Sequence, residues 1–217
     1  MSKNIKILPT YLISRYKEWK ATGYEQNKSW YNKIANEGQN PSTMVISCCD
    51  SRIHVTSMFG IDRGEFFIHR NIANLVPPYN PNGNHHGTSA AVEYAVKILH
   101  IENIIILGHS SCGGINSGYT ICKEDQHTGD SIFLNKWLNI LQPAYENISK
   151  TNIKSDQEAI QKLEKESIII SLQNLTDFPF IKNILDKNEL ALHGLWHDIA
   201  SGVLEMLDPE TMKFIAI

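Results

Sequence analysis

Three short apolar runs constrain the fold of this chain more than any other feature. They cover residues 44–47, 66–68 and 104–107, and each is bounded by turn-forming or polar residues. Runs without a regular apolar–polar alternation are typical of strands buried on both faces, as in parallel sheets covered by helices. Helical patterns alternate with these strands, so the sequence predicts an α/β fold with a mostly parallel central sheet.

Helical periodicity predicts the layers around this sheet. Thr88 is placed to cap a helix from Ser89 to about His100, which is apolar nearly all round and is therefore expected to be buried. The other predicted elements are helices at 132–141 (ended by Pro143), 159–175 and 181–185, and strands at 190–197 and 203–207. The last two strands indicate a C-terminal hairpin, which gives about four parallel strands and one antiparallel strand.

The N-terminal segment is predicted to be a helical arm. Apolar residues recur there at spacings of three and four, from Leu8 to Trp19, but polar residues dominate the composition. Gly23 interrupts the pattern, and a break at residues 38–41 ends a second short helix. We therefore expect one domain over residues 1–217, with the arm at 1–37 and an α/β core at 38–217.

Charge and hydropathy exclude several classes of function. A net charge of −3 gives no electrostatic footprint for nucleic acid or an anionic membrane. No apolar run approaches the ~18 residues of a membrane span, and the N-terminus lacks the apolar core of a signal peptide. Four cysteines in a chain of 217 residues do not suggest a disulfide framework. We expect a cytoplasmic protein.

Reactive side chains follow two of the predicted strands directly. Residues 48–52 read Cys-Cys-Asp-Ser-Arg after the first strand, and residues 109–114 read His-Ser-Ser-Cys-Gly-Gly after the third. Ligands of parallel sheets bind beyond the carboxyl ends of the strands, so both clusters are expected at one edge. One of the two adjacent cysteines could then meet His109 and Cys112. Two thiolates and an imidazole form a zinc ligand set that leaves the fourth position open.

Two simpler interpretations compete with a metal site. A cysteine beside a strand is usually a small core residue, but Asp50 and Arg52 would be costly to bury without a task. A phosphatase-type thiol enzyme needs five residues between its cysteine and arginine, whereas Cys48 and Arg52 have three between them and residue 118 is glycine. A Cys-x-x-Cys redox pair is also missing from the sequence.

The two clusters together resemble the signature of the β-class carbonic anhydrases. The segments that carry the resemblance are Cys48-x-Asp50-x-Arg52, Asp62–Glu65, Arg70–Asn74, His86–Ala91, Glu93–Val96, His109-x-x-Cys112-Gly113-Gly114 and Leu192–Gly194. They occur in the same order as in the family and span roughly residues 35–207 of the chain.

This resemblance implies a role for each matching residue. Cys48, His109 and Cys112 match the ligands of one zinc ion per chain, and Cys49 occupies a variable position. Asp50 and Arg52 match the catalytic dyad, with Asp50 as an alternative fourth ligand in a closed state. The substrate-binding positions are Gln39, Phe67, Ile72, Tyr94 and Gly113. The family further implies a homodimer with a shared cleft, often paired into a tetramer.

The implied reaction is the reversible hydration of carbon dioxide to bicarbonate and a proton by a zinc-bound hydroxide. Proton export is not assigned, because eight histidines are conceivable relays: His54, His69, His85, His86, His100, His127, His193 and His197. Hydrolysis of carbon disulfide or carbonyl sulfide is an alternative, because a related hydrolase could use the same constellation and the residue identities alone do not separate the two activities. A non-enzymatic zinc protein would have no use for Asp50 and Arg52.

One subclass of the family adds a non-catalytic bicarbonate pocket. That pocket is associated with a tryptophan and a glycine where this chain has Val45 and Ser47. Valine lacks the indole N–H, and serine adds atoms where glycine leaves room for an anion. We therefore expect the plant-like behaviour, without allosteric bicarbonate and with water on zinc near neutral pH.

Overall fold

A six-stranded sheet forms between residues 43 and 216 in a computed structural model, which describes residues 4–61, 64–82, 86–124 and 131–217. The strands are β1 (Thr43–Cys48), β2 (Phe66–Asn71), β3 (Asn103–His109), β4 (Ala191–His197), β5 (Leu204–Leu207) and β6 (Phe214–Ala216). Their order is β2-β1-β3-β4-β5-β6, with parallel pairing from β2 to β4 and antiparallel pairing from β4 to β6. The predicted α/β class and parallel sheet are confirmed.

Nine α-helices accompany the sheet in the described residues. They are α1 (Thr10–Trp19), α2 (Lys28–Glu37), α3 (Val55–Phe59), α4 (His86–Lys97), α5 (Gly113–Glu124), α6 (Ile132–Leu138), α7 (Gln142–Ser149), α8 (Asp156–Thr176) and α9 (Pro179–Leu185). Helix α8 packs on β3 and β4, and α4 packs on β2. Helices α5 and α7 pack on α8, and α6 packs on α5. Ser155 caps α8 by accepting a hydrogen bond from the Glu158 N–H.

Two glycines let α8 approach the sheet closely. A Cβ at Gly108 of β3 would lie 2.8 Å from Ile168 Cδ1, and one at Gly194 of β4 would lie 2.9 Å from Ile168 Cγ2. Ile168 is fully buried as a result. The side chain of one helical residue therefore occupies the space that two strand residues leave empty.

Several boundaries differ from the sequence prediction. Helix α4 begins at His86, and the Thr88 hydroxyl contacts β2 side chains. Pro143 does not end the helical path: a 3₁₀ turn at Asn139–Leu141 leads into α7, whose first turn holds the proline, where a missing N–H costs nothing. Gly23 lies inside a π-helical segment, Lys20–Tyr24, that continues α1. The predicted C-terminal hairpin gains a third antiparallel strand, β6.

The chain divides into two units, one ending at Asn40 and one from Pro41 to Ile217. In the first unit, α1 and α2 have no buried residue, and the rings of Trp19, Tyr24 and Tyr31 cluster within 6.0 Å of one another. The single domain with an arm therefore stays a prediction. Within the described ranges, we find no helix with the length and apolar character needed to cross a bilayer.

Some sequence predictions concern residues outside the described ranges. These are Asp62 and Arg63 of the turn before β2, and the candidate relays His85 and His127. The backbone of His86 is described, but its side chain is not.

Candidate metal centre

Cys48, His109 and Cys112 meet at the carboxyl edge of the sheet. Cys48 ends β1, His109 ends β3, and Cys112 precedes α5. Because β1 and β3 are adjacent and parallel, their last residues lie at the same edge. The ligand atoms of the three residues lie within 4.8 Å of one another, and each residue is at most 4% exposed. The sequence clusters are thus brought together, with Cys48 rather than the exposed Cys49 facing His109.

The donor atoms fit a zinc ion. The Nδ1 atom of His109 lies 2.9 Å from the Ser110 carbonyl oxygen, so this nitrogen carries the hydrogen and donates it. The Nε2 atom of His109 therefore keeps its lone pair, and it is buried without a hydrogen-bond partner. Such an atom is costly unless it binds something. Two sulfurs, 3.8 Å apart, complete a soft donor set suited to zinc.

The environment favours the thiolate form of Cys48. The contact with the Cys112 thiol lowers the pKa of Cys48 to about 4, and the same contact, with burial, raises the pKa of Cys112. One thiol thus donates to the other sulfur when no cation is present. Backbone N–H groups of Gly114 and Ile115, at the start of α5, stabilise negative charge on Cys112.

Asp50 and Arg52 form a two-residue pair beside the cluster. The Arg52 side chain donates from Nε to Oδ1 of Asp50 at 2.9 Å and from Nη2 to Oδ2 at 2.7 Å. The Arg52 backbone N–H also donates to Oδ1 at 3.0 Å. These bonds, led by the guanidinium, hold the pKa of Asp50 well below its usual range. Oδ2 of Asp50 lies 4.0 Å from His109 Nε2, so an ionised carboxylate faces the donor set.

Arg70, at the end of β2, braces the backbone of the first cluster. It donates from Nε to the Cys48 carbonyl at 2.9 Å and from Nη2 to the Asp50 carbonyl at 2.7 Å. These two bonds fix the backbone that carries both a ligand and the dyad carboxylate. The Arg52 guanidinium reaches the Ser111 carbonyl at 3.1 Å and so joins the two ligand-bearing loops.

Glu164 of α8 supports the cluster from behind and was missed by the sequence reasoning. It is 2% exposed, accepts from the Cys112 N–H at 3.2 Å and accepts from the Trp196 indole at 3.3 Å. Burial raises the pKa of Glu164. Asp198 similarly accepts from the Ser110 hydroxyl at 2.8 Å. Buried polar partners of ligand-bearing loops orient the ligands.

Of the predicted substrate-binding residues, only some lie near the candidate ligands. Ile72 follows β2 and lies against α5, because a Cβ at Gly114 would be 2.7 Å from Ile72 Cγ2. Gly113 is the first residue of α5, next to Cys112. Phe67 and Tyr94 stack with ring centroids 5.9 Å apart, but Phe67 is in register with Met44, four residues and about 13 Å before Cys48 along the sheet. Gln39 belongs to the first unit.

Val45 and Ser47 point away from the ligands. Val45 is fully buried in an apolar cluster with Ile53, Val55 and Leu107. Ser47 is also fully buried, and its hydroxyl has no hydrogen-bond partner. The surroundings of Val45 are thus packed with apolar side chains.

Comparison with known proteins gives consistent results. A family model described as carbonic anhydrase matches residues 43–204. "Beta carbonic anhydrase 3" of Arabidopsis thaliana is 35% identical over 212 residues, covering 94% of this chain and 79% of that protein. The solved structure of the β-carbonic anhydrase CcaA has a TM-score of 0.84 and 27% identity, covering 95% of this chain and 91% of the other. A tetrameric β-carbonic anhydrase of Sordaria macrospora has a TM-score of 0.76 and 31% identity, covering 91% and 95%.

Proposed function

Because this chain belongs to the β class of carbonic anhydrases, its reaction is the zinc-dependent reversible hydration of carbon dioxide, and we propose that the edge formed by β1 and β3 is the active site. The observation that carries this proposal is the convergence of Cys48, His109 and Cys112 around the unpartnered Nε2 of His109. These three residues would hold the zinc ion. When bound, zinc lowers the pKa of a coordinated water, which makes hydroxide available near neutral pH.

Asp50 is proposed to orient the nucleophile. Its pKa lies well below the usual range, so it is an acceptor at every pH near neutrality. An acceptor beside the donor set fixes the hydrogen of the nucleophile and leaves its lone pair directed at carbon. Arg52 acts on Asp50 by holding both carboxylate oxygens through its fork of donors. The Gly113 N–H is proposed to stabilise negative charge that develops on the substrate oxygens.

The apolar part of the substrate cleft is proposed to be shared between two copies of the chain. Ile72 lies near the ligands of its own chain, whereas Phe67 and Tyr94 stack about 13 Å along the sheet from Cys48. Tyr94 is 44% exposed although its ring is large and apolar. A homodimer that places this pair, together with Gln39, over the partner's zinc would complete the cleft. Pairing of such dimers into a tetramer fits the tetrameric Sordaria relative.

We also propose the plant-like mode without allosteric bicarbonate, and a cytoplasmic location. The packed apolar surroundings of Val45 support the first, because Ile53, Val55 and Leu107 occupy the space beside it. The four cysteines, all free, support the second, since thiols persist in reducing compartments.

Stopped-flow hydration of carbon dioxide by the purified, zinc-loaded protein tests the function directly. We expect turnover that is lost on zinc removal and restored by zinc. Assays with carbon disulfide and carbonyl sulfide run in parallel, and hydrolysis of either without carbon dioxide hydration would overturn the proposal. For the shared cleft, mixing an Arg52→Ala variant with a Tyr94→Ala variant should give more activity than either variant alone, because a mixed dimer contains one intact cleft.

A further inference from the structure

Hydration releases a proton, and the described dyad cannot carry it. Asp50 has a pKa well below the usual range, so it does not take up a proton near neutral pH. Arg52 is charged throughout the same range. A separate group must therefore accept the proton and pass it to solvent.

A cavity of about 880 Å³ adjoins the candidate metal centre. Its wall includes Cys49, His69, Asn71, Ile72, Thr88 and Trp137. Ile72 also lies against Gly114, two residues after Cys112, and Cys49 directly follows Cys48, so the cavity wall borders the segments that carry two of the ligands. Among histidines whose side chains the structure describes, His69 alone lines this cavity.

His69 lies close to the metal centre along β2. Asn71 is in register with Cys48, and His69 is two residues earlier on the same face, so its Cα lies about 8 Å from that of Cys48, from about 6.6 Å along the strand and about 4.8 Å across to β1. A short chain of water molecules in the cavity can connect the two side chains. The other described candidate histidines do not line this cavity. His193 is hydrogen-bonded to Asn103 at 3.1 Å, and His54 and His100 are exposed. His197 lies on β4, in register with His109 on the side of β3 away from β2.

Thr88 holds the His69 ring in place. The Nε2 atom of His69 lies 3.0 Å from the Thr88 hydroxyl, which is 4% exposed. The amide of Asn71 is oriented by the Leu75 backbone, from which it accepts at 3.0 Å and to which it donates at 2.8 Å. Its NH₂ group therefore faces Thr88 and donates to the hydroxyl at 3.3 Å. A hydroxyl offers two acceptor lone pairs, so Thr88 can also accept from the ring.

We propose that His69 is the proton relay of this enzyme, with Nε2–H donating to Thr88 and Nδ1 gaining and losing the proton. Nδ1 takes a proton from water in the cavity, which makes the ring an imidazolium, and then releases it to a base in solvent. The neutral ring is regenerated, and no electrons are transferred. Thr88 accepts from Nε2–H in both charge states, so the ring does not turn during the cycle. The inference rests on the proposed active site.

The surroundings suit such a role. Half-burial lowers the pKa of His69 from its ordinary value, so the ring is neutral and able to accept at pH 7 to 8. The other titratable groups described on the cavity wall are Cys49 and Lys136. On α4, which packs against β2, Glu93 is paired with Lys97. Among the residues described on this wall, no carboxylate lies beside the His69 ring.

The test measures His69→Ala in weakly buffered solution, with zinc content and circular dichroism checked first. We expect kcat to fall at least ~10-fold while kcat/KM changes less than ~2-fold, because only kcat includes proton export. Added imidazole should restore kcat. His193→Ala is the matched control, since that ring is also half-buried on the same sheet, and it should leave both constants unchanged.

Two further measurements keep the proposal falsifiable if the alanine variant folds poorly. Thr88→Val should lower kcat with the same imidazole rescue. In ¹⁵N spectra of the histidine-labelled protein, which need no turnover, His69 should carry its hydrogen on Nε2 at pH 8. An unchanged kcat, an equal loss of kcat and kcat/KM without rescue, or a hydrogen on Nδ1 would overturn the proposal. A wild-type protein without hydration activity would instead contradict the proposed function.

Discussion

Replacement of Arg52 by alanine tests the dyad most directly. The change removes the two side-chain bonds to Asp50 and keeps the third, from the backbone N–H of residue 52. Loss of one positioned electrostatic group costs ~10²–10³ in kcat, and because the Arg52 side chain is half-exposed we expect the lower end, about 100-fold. Zinc content should not change, since Arg52 contacts no ligand side chain.

The pH dependence separates orientation from charge. Without the guanidinium, the pKa of Asp50 rises toward the ordinary value of about 4, so the carboxylate is still ionised at pH 7 to 8. The loss should therefore be the same at all pH values above about 6. Arg52→Lys is the matched control, because it keeps the charge but not the fork of donors, and it should recover only part of the rate.

Stopped-flow hydration with parallel zinc analysis decides between the outcomes. Wild-type turnover in the zinc-loaded alanine variant would show that the dyad is not catalytic. A rate that recovers fully at high pH would show that Arg52 acts only by keeping Asp50 ionised.

The remaining predictions concern the metal, the pH profile and the packing. Cys48→Ser should lose zinc while Cys49→Ser and Cys122→Ser retain it; metal analysis giving the reverse for 48 and 49 would shift the ligand assignment. Activity should rise with pH as a single titration with a Hill slope of about one, because the dyad carboxylate is already ionised, and bicarbonate should act only as product. A slope near two in stopped-flow profiles would refute this prediction. Gly118→Ala should lower the free energy of unfolding by about 1–3 kcal/mol, because its Cβ would lie 2.3 Å from Leu141 Cδ1; an unchanged urea midpoint would contradict it.

The sequence predicts the site residues correctly where they stand at the ends of adjacent parallel strands. Cys48 and His109 each end a parallel strand, and adjacent strands bring such residues together whatever the details of the helices. Thr88 shows the limit of local rules. A threonine before a helical pattern is typical of an N-cap, but here its hydroxyl is engaged by His69 and Asn71 of β2. That contact depends on tertiary packing, which propensity does not contain.

Glu164 shows a second limit. Its position in a long helical pattern is typical of a solvated face, yet it is buried against a backbone N–H that lies 52 residues away in sequence. The prediction that Pro143 ends a helix fails for a related reason. Proline is unfavourable inside a helix but acceptable in a first turn, and Pro143 lies in the first turn of α7. The burial of Glu164 depends on where α5 begins, and the position of Pro143 depends on where α7 begins. The sequence alone does not fix either of these starts.

The contact of Ile168 with Gly108 and Gly194 makes substitutions at these three positions depend on one another. A methyl group added at either glycine overlaps the same isoleucine, so a lineage that acquires alanine there must shorten residue 168 or move α8 outward. Glu164 lies one helical turn before Ile168 and would move with it, away from the Cys112 N–H. We therefore expect residues 108, 168 and 194 to change together among descendants of this sequence, with a mutational path that passes through position 168 first.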